Sequence, residues 1–248
     1  MLPDPMIETH GLARSFKTKT GPVAAVQGID FEVRPGQIVG LLGPNGAGKT
    51  TTLRMLTTLL RPTTGSATVA GVDLRADPRE VRRRIGYVAQ IGATPAPGTI
   101  LGEELVAQAR LQGMSKADAT SRLAELLPRL DLAGFERRAL SEMSGGQRRR
   151  FDVALGLMHS PMLVFLDEPT TGLDPQSRAN LWDHIRSLRN RGTWLQGMST
   201  SGISKFLRSG PVTSSRAHVS AEPSSVFTRH VPSRFTEALS DVPRQCLC

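Results

Sequence analysis

The stretch GLLGPNGAGKTTTLRML, residues 40–56, limits what this chain can fold into more than any other part of it. An apolar run, QIVGLL, leads into a loop holding Gly43, Gly46 and Gly48, and Lys49 and Thr50 follow where a helix-like pattern begins. Gly43, Gly48, Lys49 and Thr50 fit G-x-x-x-x-G-K-[ST], and an apolar strand before it and a helix after it are the context that pattern requires. Glycines let backbone N–H groups turn inward around phosphate oxygens. The helix start adds the positive end of its dipole and Lys49 a mobile cation. The loop Gly43, Pro44, Asn45, Gly46, Ala47, Gly48, Lys49, Thr50 and Thr51 is therefore expected to hold the phosphates of ATP or GTP, with Thr50 placed to ligate Mg²⁺. The competing reading is a glycine-rich turn that binds nothing.

A second site is expected at LVFLDEP, where an apolar strand ends in two adjacent acids, Asp167 and Glu168. Neighbouring side chains on a strand diverge, so the two acids should have separate tasks. Asp167 would hold the Mg²⁺ ion, and Glu168 would act as general base toward the attacking water. Two solvated strand-end acids remain the alternative.

The chain around these sites alternates strand-like and helix-like segments up to about Gly192, which predicts an α/β fold. Ile29, Phe31 and Val33 alternate with Asp30 and Glu32 as in a half-buried strand, whereas QIVGLL reads as a fully buried one. From about residue 99 to 140, Leu123, Leu126, Leu127 and Leu130 recur at helical spacing behind Ser115, a cap followed three residues later by Asp118. This predicts a small helical subdomain inserted between strands. Farther on, Asp174 can cap a helix with Pro175 in its first position, running through QSRANLWDHIRSLRNR.

Lys and Arg number 31 against 22 Asp and Glu, a net charge of +9 that suits an anionic membrane surface, nucleic acid, or solvation alone. The RRR clusters at 82–84 and 148–150 are expected on solvated helix faces, with a partner's helices as the alternative. No apolar run approaches the roughly 20 residues of a membrane-spanning helix, and MLPDPMIETHG has no apolar targeting core, so a cytoplasmic chain is expected. Cys246 and Cys248 are too few for a disulfide framework or a metal cage.

In EMSGGQRRRFDVALGL, Ser144, Gly145, Gly146 and Gln147 open a helix and form a second backbone anion site. Gly43 to Thr50, then YVAQ, then SGGQ, then LVFLDEPTTGLD, in this order and spacing, resemble the nucleotide-binding subunits of ABC transporters over residues from about 6 to 192. EPTTGLDPQSRANLW and SGGQRRRFDVALGL are most similar to bacterial drug-export ATPases. The resemblance implies a P-loop ATPase with an inserted helical subdomain, hydrolysing Mg-ATP to energise export through a separate transmembrane permease. It implies a peripheral location on the inner face of the cell membrane and a head-to-tail homodimer with two ATP molecules at its interface. Carried over by position, Phe16 would stack on adenine, although it reads equally as a core aromatic. Gln90 would link Mg²⁺ and the attacking water to the helical subdomain. Ser144 with its glycines would close over the nucleotide of the other subunit, and Asp174 would cross to that subunit.

The family has one more strand after the helix ending near Gly192, and then a histidine that contacts the γ-phosphate. Here TWLQGMSTSGIS stands in that place, and the text from Thr193 to Cys248 is crowded with Ser, Thr, Pro and Arg. His184 falls within a helix pattern, and His218 and His230 follow no strand pattern, so none is assigned as the switch histidine. The expectation is an ATPase domain over 1–192 with an incomplete sheet, and an aberrant, disordered tail over 193–248. Without the last strand, MLVFLD would become a sheet edge. The change in composition at about Thr193 suggests a frameshift, a truncated reading frame or an insertion junction, and with it a remnant that binds nucleotide but hydrolyses it poorly. A soluble ABC-type protein acting on nucleic acid or ribosomes is the third reading. One cassette without a coiled-coil insertion argues against it, and no nucleic-acid partner is expected.

Overall fold

The computed structural model describes residues 3–90, 96, 98–188, 193–199 and 227–230. Two sheets frame it. The first is antiparallel, in the order β2 (Gly21–Val33), β1 (Ile7–Thr18), β4 (Thr64–Val69), β5 (Val72–Asp73). The second runs β6 (Ile85–Val88), β7 (Leu163–Asp167), β8 (Thr193–Ser199), β3 (Ile38–Gly43), β9 (Phe227–His230), parallel except for β9.

Strand β7 shows why an uninterrupted apolar run belongs in this second sheet. All five of its residues are buried. Leu163 and Phe165 join one core with Leu41, Leu53, Met55 and Val69, while Val164 and Leu166 join another with Phe151, Val153, Leu181 and Ile185. A strand alternates its side chains between faces, so a strand covered on both needs apolar residues at every position. β3 and β7 are parallel through β8, with Gly43 opposite Ser199 and Asp167 opposite Gly197. Their carboxyl ends therefore lie at one edge, where open α/β sheets place their ligands.

The inserted helical region consists of α3 (Leu101–Leu111) and α4 (Lys116–Arg129). Ser115 caps α4 by accepting from the Asp118 amide at 3.1 Å, and Leu123, Leu126, Leu127 and Leu130 are buried. The region closes on itself where Ile100 bridges Ala139. The remaining helices are α1 (Lys49–Leu56), α2 (Pro78–Arg84), α5 (Gly145–Leu157) and α6 (Pro175–Leu188).

Three expectations are corrected. A strand does follow α6: TWLQGMS forms β8, hydrogen-bonded to β3 on one side and β7 on the other, so β7 is not an edge. Its mixed composition gives little strand signal, but pairing on both sides satisfies its backbone groups whatever the side chains are. His230 also lies in a strand, since Phe227–His230 pairs antiparallel with β3. The rest of the expected tail, with His218, Cys246 and Cys248, falls outside the described residues. Finally, the 148–150 cluster is not a solvated face. Arg149 is buried at 6% exposure, and Arg150 pairs with Asp131 at 3.3 Å. Successive helix positions are turned about 100° apart, so three arginines in a row cannot share one environment.

Candidate functional site

The loop from Gly43 to Lys49 joins β3 to α1 through two left-handed glycines, Gly46 at φ 84° and Gly48 at φ 81°. Gly48 is also the cap of α1, and a Cβ there would run into the carbonyl oxygen of Ala25, so both conformation and space demand glycine. Lys49 is buried, with Nζ donating to the carbonyls of Gly43 at 2.9 Å and Pro44 at 2.8 Å. The ammonium thus folds back and braces the loop from inside. Burial pulls its pKa below the ordinary lysine value, against the opposing pull of Glu168 and Asp167.

Thr50 Oγ1 donates to Asp167 Oδ1 at 3.0 Å, joining positions 117 apart. Asp167 is 1% exposed. Burial pushes its carboxyl pKa up, partly offset by the Thr50 hydrogen bond, and neighbouring Glu168 adds to the rise. A buried carboxylate touching a hydroxyl is a pair of hard oxygen donors, the chemistry a small divalent cation takes. Among the described residues no cluster of three or more His, Cys, Asp or Glu side chains could hold a metal. A cation here would need oxygens from a bound phosphate to complete its shell, as Mg²⁺ commonly does.

The backbone leaves β7 at Glu168 with φ 44°, rare for a residue with a side chain and a form of local strain common at functional sites. Gln90 Nε2 and Thr171 Oγ1 both donate to Glu168 Oε2, each at 3.1 Å. Lys49, Thr50, Asp167, Glu168 and Gln90 therefore form one connected cluster.

The other expected residues lie apart from it. Ser144 caps α5, its hydroxyl accepting from the Gln147 amide at 3.3 Å while Gln147 Oε1 accepts from the Ser144 amide at 2.9 Å. Ser144 and Gly145 are exposed, and Gly146 packs so closely on Ser177 that a Cβ would approach its Oγ to 2.9 Å. Asp174 caps α6 by accepting from the Gln176 and Ser177 amides at 3.0 and 2.9 Å, and its hydrogen bonds to Ser177 hold its carboxyl below the ordinary value. Phe16 lies on β1, 37% exposed, with the Arg14 guanidinium 4.7 Å from its ring centre, so it is not a core aromatic. Among the described residues no hydrogen bond or ion pair links Ser144–Gln147, Asp174 or Phe16 to the cluster around Lys49.

Sequence reasoning missed three residues at this site. Thr171 holds Glu168, as above. Tyr87 lies beside Asp167 and Arg54, its phenol pKa raised first by burial and then by Asp167. Arg149 donates to the Pro169 carbonyl at 2.7 Å and to that of Ala89 at 2.7 Å. The first could be found from TTGLD following the acids. The other two carry no local signal.

Residues 26–171 match the sequence pattern of the ABC transporter family. The chain is 48% identical over 191 residues to the daunorubicin/doxorubicin resistance ATP-binding protein DrrA of Streptomyces peucetius, a match covering 77% of this chain and 56% of that protein. It is 41% identical to the Nod factor export ATP-binding protein I of Paraburkholderia xenovorans, covering 77% of this chain and 61% of that one. It thus spans little more than half the length of these relatives. The fold is similar to that of a dimeric, post-hydrolysis ATP-binding cassette bound to ADP and Pi, with a TM-score of 0.69 at 23% identity, covering 78% of this chain and 88% of that one.

Proposed function

We propose that this chain, which belongs to the ABC transporter family, binds and hydrolyses ATP as the nucleotide-binding subunit of a drug exporter. The observation that carries this reading is the Thr50–Asp167 contact of 3.0 Å beside a lysine-braced glycine loop. It joins the phosphate-binding loop and the acidic strand end into one site.

In this reading the amides of Gly43–Thr51 and the Lys49 ammonium hold the phosphates. Thr50 and Asp167 hold Mg²⁺, with Gln90 within reach of the same region. The ion supplies charge neutralisation on the phosphate oxygens. Glu168 accepts the proton of the attacking water, and Gln90 and Thr171 orient its carboxylate. Phe16, exposed on β1, offers a face to the adenine. Ser144 to Gln147 and Asp174 lie outside this cluster, which supports a head-to-tail pair in which they complete the site of a second copy. No helix among the described residues is long and apolar enough to cross a membrane, so the reading places the transport path in a separate permease, with this chain on the inner face of the membrane.

The relatives' names, daunorubicin/doxorubicin resistance and Nod factor export, support an export role and leave the cargo open. Calorimetric titration of the purified chain with Mg-ATP, followed by phosphate release, tests the proposal. Micromolar to low-millimolar binding is expected, and absence of binding by folded protein defeats it.

One observation favours a second reading, slow hydrolysis. Ser199 ends β8 opposite Gly43, at the root of the phosphate loop, and the next residues, TSGISKF, hold no histidine. If the switch histidine is missing, binding persists while turnover falls well below that of a full-length relative. Turnover equal to that of such a relative excludes this second reading.

A further inference from the structure

Arg149 is the most deeply buried member of its arginine triplet, and the backbone carbonyls it meets border the proposed catalytic pair. Its Nε donates to the Pro169 carbonyl at 2.7 Å, its Nη1 to the Ala89 carbonyl at 2.7 Å, and its Nη2 lies 3.5 Å from the Asp167 carbonyl. Ala89 precedes Gln90, and Asp167 and Pro169 flank Glu168. Asp152, one turn along α5, pairs with the guanidinium at 3.5 Å. A planar guanidinium with five N–H donors can serve three carbonyls and a carboxylate at once, which no other side chain can do.

We propose that Arg149 is a positioning residue that clamps the backbone on both sides of Glu168 and just before Gln90 to helix α5, so that the Gln90–Glu168 geometry follows any movement of that helix. This rests on the ATPase reading above. Arg149 stands five residues from Ser144, about 7.5 Å along a rigid helix. The exposed end of α5 that would meet a second copy's nucleotide is thereby tied mechanically to this copy's own base. Occupancy of one site would then adjust the other through a single side chain.

The test compares Arg149→Met, Arg149→Lys and Arg150→Met with the parent. Arg150→Met removes the same charge from the same helix, but its ion pair is with Asp131 in the helical region. Arg149→Met is expected to keep Mg-ATP affinity within about threefold while kcat falls at least about tenfold, since small misplacements of catalytic groups are costly. Arg149→Lys, retaining the cation and some donors, should recover part of that loss, and Arg150→Met should stay near parent turnover. The carbonyl ¹³C resonances of Ala89, Asp167 and Pro169 in the nucleotide-free chain give a readout independent of activity. They should move in Arg149→Met and hold still in Arg150→Met.

Parent-like kcat in Arg149→Met, parallel loss of affinity and kcat, or an equal loss in Arg150→Met each overturns the proposal. Unmoved carbonyl resonances do so as well. Should Arg149→Met not fold, Arg149→Lys decides: reduced kcat at unchanged affinity supports the clamp, and parent kcat ends it. A parent that binds no ATP defeats the functional reading instead, and the carbonyl resonances then still judge the clamp.

Discussion

Gln90 Nε2 donates to Glu168 Oε2 across 3.1 Å, tying together two residues 78 positions apart that follow neighbouring parallel strands, β6 and β7. The Glu168 carboxylate is thus engaged by this amide and by Thr171.

Lys49→Ala should remove both the cation and the brace it forms with the Gly43 and Pro44 carbonyls. A loss of Mg-ATP affinity of at least about a hundredfold is expected, since charge-assisted contacts to phosphate are among the strongest available. Calorimetry on folded mutant protein measures it, and equal affinity of mutant and parent refutes the phosphate role.

Glu168→Gln keeps the shape of the side chain and removes the base. Bound ATP should then persist and hold two copies together. Gel filtration with Mg-ATP should show more dimer than the parent gives, and no gain counts against the head-to-tail arrangement.

His159 tests the pH dependence of the fold. Its Nε2 lies 2.9 Å from the Ile85 carbonyl, and burial lowers its pKa from 6.5, with the Ile85 hydrogen bond raising it and Arg122 lowering it further. A folded-state value below the unfolded one means that this contribution to stability is present above 6.5 and lost as pH falls through the folded-state value. The parent should therefore lose more melting temperature between about pH 7.5 and pH 5 than His159→Gln does, since glutamine does not titrate. Identical losses in the two proteins exclude this assignment.

Gly86→Ala should destabilise the fold. A Cβ at Gly86 would collide with the Gly156 carbonyl oxygen and come within 3.1 Å of Pro161 Cγ, forcing α5 away from β6. Overpacking of this kind costs about 1–3 kcal/mol. A urea midpoint unchanged from the parent would show that the helix yields at no cost.

The sequence alone determined what is written in contiguous residues. The spacing of Gly43, Gly48, Lys49 and Thr50 fixes a strand–loop–helix unit because its constraints are local: left-handed backbone, a helix start and a cation within one turn. Ser115 and Asp174 were legible as caps because a cap needs only the next three residues. The unbroken apolar run of β7 announced burial on both faces. Tertiary structure decided the rest. TWLQGMS has little strand character of its own and becomes β8 because β3 and β7 offer ladders on both sides, a relation between segments far apart in the chain. Arg149 looks like its neighbours in RRR, and only the direction in which α5 presents it, toward carbonyls 18 to 60 residues distant, sets it apart. Local conformation depends on neighbours in sequence and can be read there, whereas hydrogen bonds between distant carbonyls and side chains exist only once the sheet has brought them together.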